Sequence, residues 1–326
     1  MTMVDVFFGL ILLGVTCYLL FGGADFGAGL WHLVVARRRG GRTPADREVI
    51  EHAIGPVWEA NHVWLIFVLV MGWTAFPPAF AAVAGSFWVP LSLAALGIVA
   101  RGSAFAFRKA VPDSGAFAVT FAVSSVLTPY CLGAVAGGLL AGELGVWWSP
   151  TAVYAGLLTA GMCAYLAACY LTADARRLAG AGTAERFRGY ALASGATVGA
   201  LALAGPFVLL LDAPRQGMDL LQHAGWLLAL SLLAGLASLA LLVRRRYRAV
   251  RVSAALAVAA VVWGGAAAHY PHIAGPSVTV QGAAAGPTVL GYVLVALGIG
   301  AAITVPSLVW LYTLFQRAEQ PARHDS

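Results

Sequence analysis

A chain of 326 residues that is 60% hydrophobic and 10% charged, with a mean hydropathy of +0.83, is far more apolar than a water-soluble domain, which runs about half apolar and a quarter charged. Its 20 Lys and Arg against 14 Asp and Glu give a formal net charge of +6, yet the basic residues gather at the ends of apolar stretches. That placement suits an anionic lipid leaflet and excludes a nucleic-acid partner.

Crossing the hydrocarbon of a bilayer takes about 20 residues at helical rise. In chain order such stretches run over 5–36, 51–75, 79–108, 116–140, 151–173, 184–212, 219–243, 250–270 and 287–316. An all-α polytopic protein of nine transmembrane helices is predicted, and short connections make 1–326 a single transmembrane domain. Residues 1–20 contain Asp5, lack a basic leader and run on into further helix, so the first stretch reads as a retained span rather than a cleaved signal. Basic residues follow the first, third, fifth, seventh and ninth helices: Arg37 to Arg47, Arg108 and Lys109, Arg176 to Arg188, Arg244 to Arg251, and Arg317 with Arg323. That puts 18 of the 20 on one side, with Arg215 on the other and Arg101 inside a span. The excess marks the cytoplasmic face, so the N-terminus is expected outside and the C-terminus in the cytoplasm.

Within the spans, Cys17, Cys131, Cys163 and Cys169 show no CxxC spacing and read as small packing residues. The pairs Gly23/Gly27, Gly133/Gly137 and Gly195/Gly199 have the small-xxx-small spacing that lets helices approach closely. Asp25-Phe26-Gly27 spells the magnesium motif of kinases, but it stands in a membrane helix without a nucleotide loop and is a chance match. His269 and His272 flank Tyr270-Pro271 at the outer interface, where His and Tyr are ordinary. No pair of in-membrane histidines on separate helices suggests axial ligation, so neither a haem nor a metal site is expected in this chain.

Charges inside the membrane are the sharpest signal, because each costs on the order of 3 kcal/mol at mid-bilayer unless paired or used. Asp25, Glu59 and Arg101 stand roughly 18, 14 and 12 Å from the basic boundary at helical rise, all in the cytoplasmic half. One arginine cannot neutralise two acids. The cluster therefore either fixes the packing of the first three helices or leaves one carboxylate free to carry protons. His52, Glu59 and His62 share one broad face of the second helix and extend a polar track toward the cytoplasm, whereas Asn61 points elsewhere.

Three blocks then carry a resemblance: Gly22-Gly23-Ala24-Asp25-Phe26-Gly27-Ala28-Gly29 in the first helix, Gly55 to Ile66 in the second, and Tyr270-Pro271 with Pro276-Ser277-Val278-Thr279-Val280 before the ninth. On these the chain resembles subunit II of the cytochrome bd family of quinol oxidases over its whole length. The resemblance implies two four-helix bundles plus a peripheral helix, in the inner membrane of a prokaryote. It also implies a heterodimer in which subunit I bears haems b and d, quinol is oxidised and oxygen reduced to water, with room for a small accessory subunit. This chain would bind no cofactor and hold no catalytic residue. The resemblance makes Glu59 and Asp25 proton-path acids, with Trp58 and His62 flanking Glu59, and associates Trp64 with an apolar oxygen route that aromatic packing would explain equally well. Many family members have Asp-Gly-Asn-Gln where this chain has Glu59-Ala60-Asn61-His62, a variant similar to the cyanide-insensitive branch. Two rival readings remain: a proton-coupled carrier using Asp25, Glu59 and Arg101, and a membrane cytochrome bearing haem on its own histidines.

Overall fold

The computed structural model describes residues 2–36, 45–46, 49–50, 58–110 and 115–318, with backbone alone at 36, 58–60, 108–110, 305, 308–309 and 311–318. The first helix, α1 (Met3–Cys17), opens on a capping box. The Thr2 hydroxyl accepts from the Asp5 N–H at 3.3 Å, and the Asp5 carboxylate accepts from the Thr2 N–H at 2.7 Å. A π-helical turn at Tyr18–Gly22 leads directly into α2 (Gly23–Ala36), so α1 and α2 make one apolar span. The remaining helices are α3 (Trp58–Ala75), α4 (Pro77–Ser86), α5 (Trp88–Ala110), α6 (Gly115–Leu140), α7 (Pro150–Leu178), α8 (Gly180–Asp212), α9 (Pro214–Val243), α10 (Tyr247–His269) and α11 (Pro287–Ala318). Four of them begin on proline, which fits a first helical position because the missing N–H has no acceptor there.

The single span expected over 79–108 is corrected. Pro77 lacks the N–H that would continue α3, and its ring disfavours the helical region at Phe76, which sits at φ −133°, ψ 58°. The chain bends by 120° there, α4 forms a separate short helix, and the crossing proper starts at Trp88. Among the described residues, eight spans cross unaided, and nine when α3 and α4 count as one bent span. Two other helices outlast their apolar stretches. With only Ala179 between α7 and α8, and Gly180 at φ +83° making the turn that disfavours any residue with a Cβ, Arg176, Arg177, Arg186 and Arg188 are helical rather than in a connection.

Helices α7, α8, α9 and α10 pack as a closed ring, one four-helix bundle. The other is formed by α1–α2 with α3, α5 and α6: α1 lies on α3, α2 on α6, and α5 on α6. Both α2 and α6 also pack on α7, which joins the bundles through a core that includes Trp31, Phe121, Met162, Leu166 and Phe187. Helix α11 is peripheral; Leu290, Val293 and Leu297 lean on the cluster around Phe7 and Met71, while most of its length stays exposed. The glycine pairs serve this packing unequally. At Gly27 a Cβ would overlap the Cys163 backbone carbonyl, and Gly133 and Gly137 lie against Ala155 and Thr151 of α7. Gly195 faces Tyr165 and Leu239, but its partner Gly199 opens onto empty space.

At the end of the bundle opposite the arginine-rich turns, α10 is followed by a cis Tyr270–Pro271 bond and a small hairpin. In it β1 (His272–Ala274) pairs antiparallel with β2 (Val278–Thr279). The rings of His269 and His272 stand 6.1 Å apart. Asp5 ties the region to α1: its Oδ1 accepts from Tyr270 Oη at 3.2 Å and from Gln281 Nε2 at 3.1 Å. Asp5→Ala removes the helix cap and this anchor together. Limited proteolysis of the reconstituted protein is then expected to cleave 270–286 several-fold faster than in the parent, whereas unchanged cleavage would mean that apolar packing alone holds the hairpin.

Candidate functional site

Four helices each bring one polar side chain to a common point inside the first bundle. They are Asp25 of α2, Asn61 of α3, Arg101 of α5 and Ser125 of α6, with relative exposures of 7, 5, 3 and 2%. Asn61 Nδ2 donates a short hydrogen bond to Asp25 Oδ2 and a second, at 3.3 Å, to the Phe21 carbonyl in the π-helical turn. Arg101 Nη2 donates to the Asp25 backbone carbonyl at 2.8 Å and Arg101 Nε to Ser125 Oγ at 3.1 Å. Ser125 in turn donates to the Phe121 carbonyl at 2.6 Å. The guanidinium lies 5.1 Å from the Phe26 ring centre and 4.9 Å from that of Phe121, within cation–π range.

Each contact answers a local need. A π-helical turn inside an α-helix is frequent at functional sites, and here its Phe21 carbonyl supplies one of the two acceptors of Asn61. The small residue Gly29 leaves the room that Ser125 occupies, and Gly97 does the same for Thr128. Arginine suits the position because its fork spreads several donors over separate acceptors and stacks on aromatic faces, which an ammonium cannot do.

The structure thus brings together two of the three charges singled out from the sequence. Arg101 meets Asp25 through the backbone carbonyl. Glu59 and Trp58 lie in α3, but their side chains are outside the described residues, as is the whole of His52. His62 packs edge-on against Tyr18 and Phe26, with ring centres 6.1 and 6.4 Å away. Trp64 stacks on Phe21 at 6.4 Å and meets Phe67 edge-on. Asn61 corrects the expectation that it points away from the site: it is the direct partner of Asp25. Ser125 was not singled out at all. The signal for Asn61 was present, since an amide buried in a membrane helix must find a partner; a single-helix face placed it wrongly because the site is collected from four helices.

The buried imidazole of His32 meets the Phe121 ring edge-on at 6.0 Å, and that of His62 is set among aromatics as described. A cavity of about 150 Å³ between α2, α6 and α7, lined by Phe26, Gly27, Ser125 and Cys163 among others, is well below the ~300–1,000 Å³ that hold drug-sized ligands. Among the described residues no three of His, Cys, Asp and Glu converge on one point. What the arrangement can do is hold a carboxyl group, with a fixed donor and a nearby cation, away from water within the membrane.

Two four-helix bundles, a peripheral helix and, among the described residues, an enclosed charged site define a polytopic membrane protein. The family model described as cytochrome bd terminal oxidase subunit II matches residues 3–315, and the chain belongs to that family. Cytochrome bd ubiquinol oxidase subunit 2 of Bacillus subtilis (strain 168) is 33% identical over 104 residues, covering 32% of this chain and 29% of that one. Cytochrome bd-I ubiquinol oxidase subunit 2 of Escherichia coli (strain K12) is 27% identical over 142 residues, covering 41% and 34%. The matched part thus spans about a third of the length of these curated relatives. The structure of bd oxidase from Geobacillus thermodenitrificans shares the fold, with a TM-score of 0.80 over 97% of this chain and 99% of that one at 24% identity.

Proposed function

We propose that this chain is the haem-free second subunit of a cytochrome bd-type quinol oxidase in the inner membrane of a prokaryote. It supports a haem-bearing subunit I, where quinol is oxidised and oxygen reduced to water, and contributes an entry path for the protons that water formation takes from the cytoplasm. Membership of the subunit II family and the shared fold support the oxidase over a carrier or a self-contained cytochrome. The basic residues mark the cytoplasmic side, with the N-terminus outside and the C-terminus in the cytoplasm.

The observation that carries the proton path is the enclosed Asp25, held by Asn61 and lying beside Arg101; the sequence reading puts it in the cytoplasmic half of the membrane. An ionisable group at that depth is retained for use or for pairing. In this reading protons pass along the track of His52, Glu59 and His62 read from the sequence and reach Asp25. Arg101 holds the charge of the site near balance, and Asn61 aims the carboxylate. Trp58 and Trp64 border an apolar route for oxygen or pack the helix.

Glu59→Gln and Asp25→Asn keep shape and remove a titratable group. In the purified complex each is expected to lower quinol-dependent oxygen uptake by about a hundredfold or more, the scale of a lost proton-transfer group, while the haem spectrum stays near that of the parent. Full turnover in either variant rules that acid out as an obligatory carrier.

A further inference from the structure

Among the described residues, one end of the second bundle holds more arginine than its carboxylates engage. Asp174 accepts from Arg177 at 2.8 Å and Arg251 at 2.9 Å, Glu185 from Arg188 at 2.7 Å and Arg245 at 2.9 Å, and Asp46 from Arg186 at 2.6 Å. Among the described side chains of this end, Arg176, Arg244, Arg246 and Arg248 are exposed and have no hydrogen bond, ion pair or ring contact. Three of these four fall within five residues: Arg244 and Arg246 in the turn that joins α9 to α10, and Arg248 in the first turn of α10.

The turn is tightly built. Arg245 takes a left-handed backbone, φ 58°, while its N–H donates to the Leu242 carbonyl at 3.1 Å and that of Arg246 to the Leu241 carbonyl at 2.9 Å. This closes α9 in the manner of a Schellman cap. The side chain of Arg245 is drawn off to Glu185, so the arginines on either side of it are left as free forks on a fixed backbone. Both helices are membrane spans, and they expose Val243 at 61% next to the turn and Val252 at 71% in the second turn of α10. A cationic fork above exposed apolar side chains, at the level where a span ends, matches a phosphodiester joined to acyl chains. Arginine pairs with phosphate bidentately, which a diffuse surface charge does not require.

We propose that the α9–α10 turn with the adjoining helix ends is a binding site for one anionic phospholipid, with Arg244, Arg246 and Arg248 on its phosphate and Val243 and Val252 against its chains. The site does not depend on the oxidase reading. Its test is native mass spectrometry of the purified protein, with whatever subunits accompany it, released from vesicles of phosphatidylglycerol or of phosphatidylcholine. The parent is expected to retain phosphatidylglycerol stoichiometrically and phosphatidylcholine poorly. The R244Q/R246Q/R248Q variant should retain at least fivefold less phosphatidylglycerol, and R215Q, at the opposite end, should retain as much as the parent. The R244K/R246K/R248K variant preserves charge and removes the forks, and it too must retain less than the parent; it carries the test alone should the glutamine variant fail to assemble. Equal retention in parent and variants would overturn the proposal in favour of diffuse attraction to the leaflet. Equal retention of phosphatidylcholine, or displacement of the lipid by millimolar inorganic phosphate, would overturn it in favour of an apolar groove or a free-anion site.

Discussion

Arg101→Ala is expected to destabilise the folded chain by about 3–5 kcal/mol, the cost of leaving a buried charge without its partner, and to deplete the assembled protein from the membrane. The guanidinium satisfies the Asp25 carbonyl and Ser125 Oγ together and fills the space between Phe26 and Phe121. Alanine leaves these acceptors facing a void, with the Asp25 carboxylate still enclosed and only Asn61 to offset it. Arg101→Lys keeps the charge but lacks the fork that reaches α2 and α6 at once, so it should fall between alanine and the parent. Thermal inactivation of the purified protein and its yield in membranes measure the effect. A parent-like melting point for Arg101→Ala would mean that the bundle does not need the cation.

Gly27→Val should rival it. At Gly27 a Cβ would run into the backbone carbonyl of Cys163, and backbone cannot rotate aside as a side chain can. Helices α2 and α7 would have to separate at the junction that joins the two bundles, at a cost of about 3 kcal/mol or more, the upper end for overpacking. Gly199→Ala is the matched control: the same small-xxx-small spacing marks it, but nothing lies within contact of a Cβ there. It should be neutral or slightly stabilising, since alanine restricts the unfolded chain more than glycine does. Comparing both variants by detergent-dependent melting checks the pair. Equal effects would show that spacing rather than facing decides which glycines matter.

Those two glycines illustrate what the sequence could and could not reveal. The spans were legible because a bilayer demands long apolar runs, and the basic turns were legible because charge stays at the ends of helices. The bend at Phe76 was written in Pro77-Pro78, yet the apolar run through 79–108 hid it, since hydropathy records depth and not direction. Asp25 and Arg101 stood out because a charge in lipid is costly enough to demand a reason. Asn61 and Ser125 are neutral and common in membrane helices, and nothing along one helix tells which neighbour they will face. Contacts gathered from α2, α3, α5 and α6 depend on how the helices are rotated against one another, and rotation is set by packing such as that at Gly27 and Gly29. The three motif blocks carried what periodicity could not, and the family match over 3–315 bears out the recognition that rested on them.

The most direct test of the central claim is to tag the chain, purify it gently from its native membrane, and record a reduced-minus-oxidised visible spectrum together with quinol-dependent oxygen uptake. A co-purifying larger subunit, with b- and d-type haem bands and oxygen uptake in the same fraction, is the predicted result. A stable, colourless protein without a partner would contradict the account and favour a carrier built on Asp25, Glu59 and Arg101.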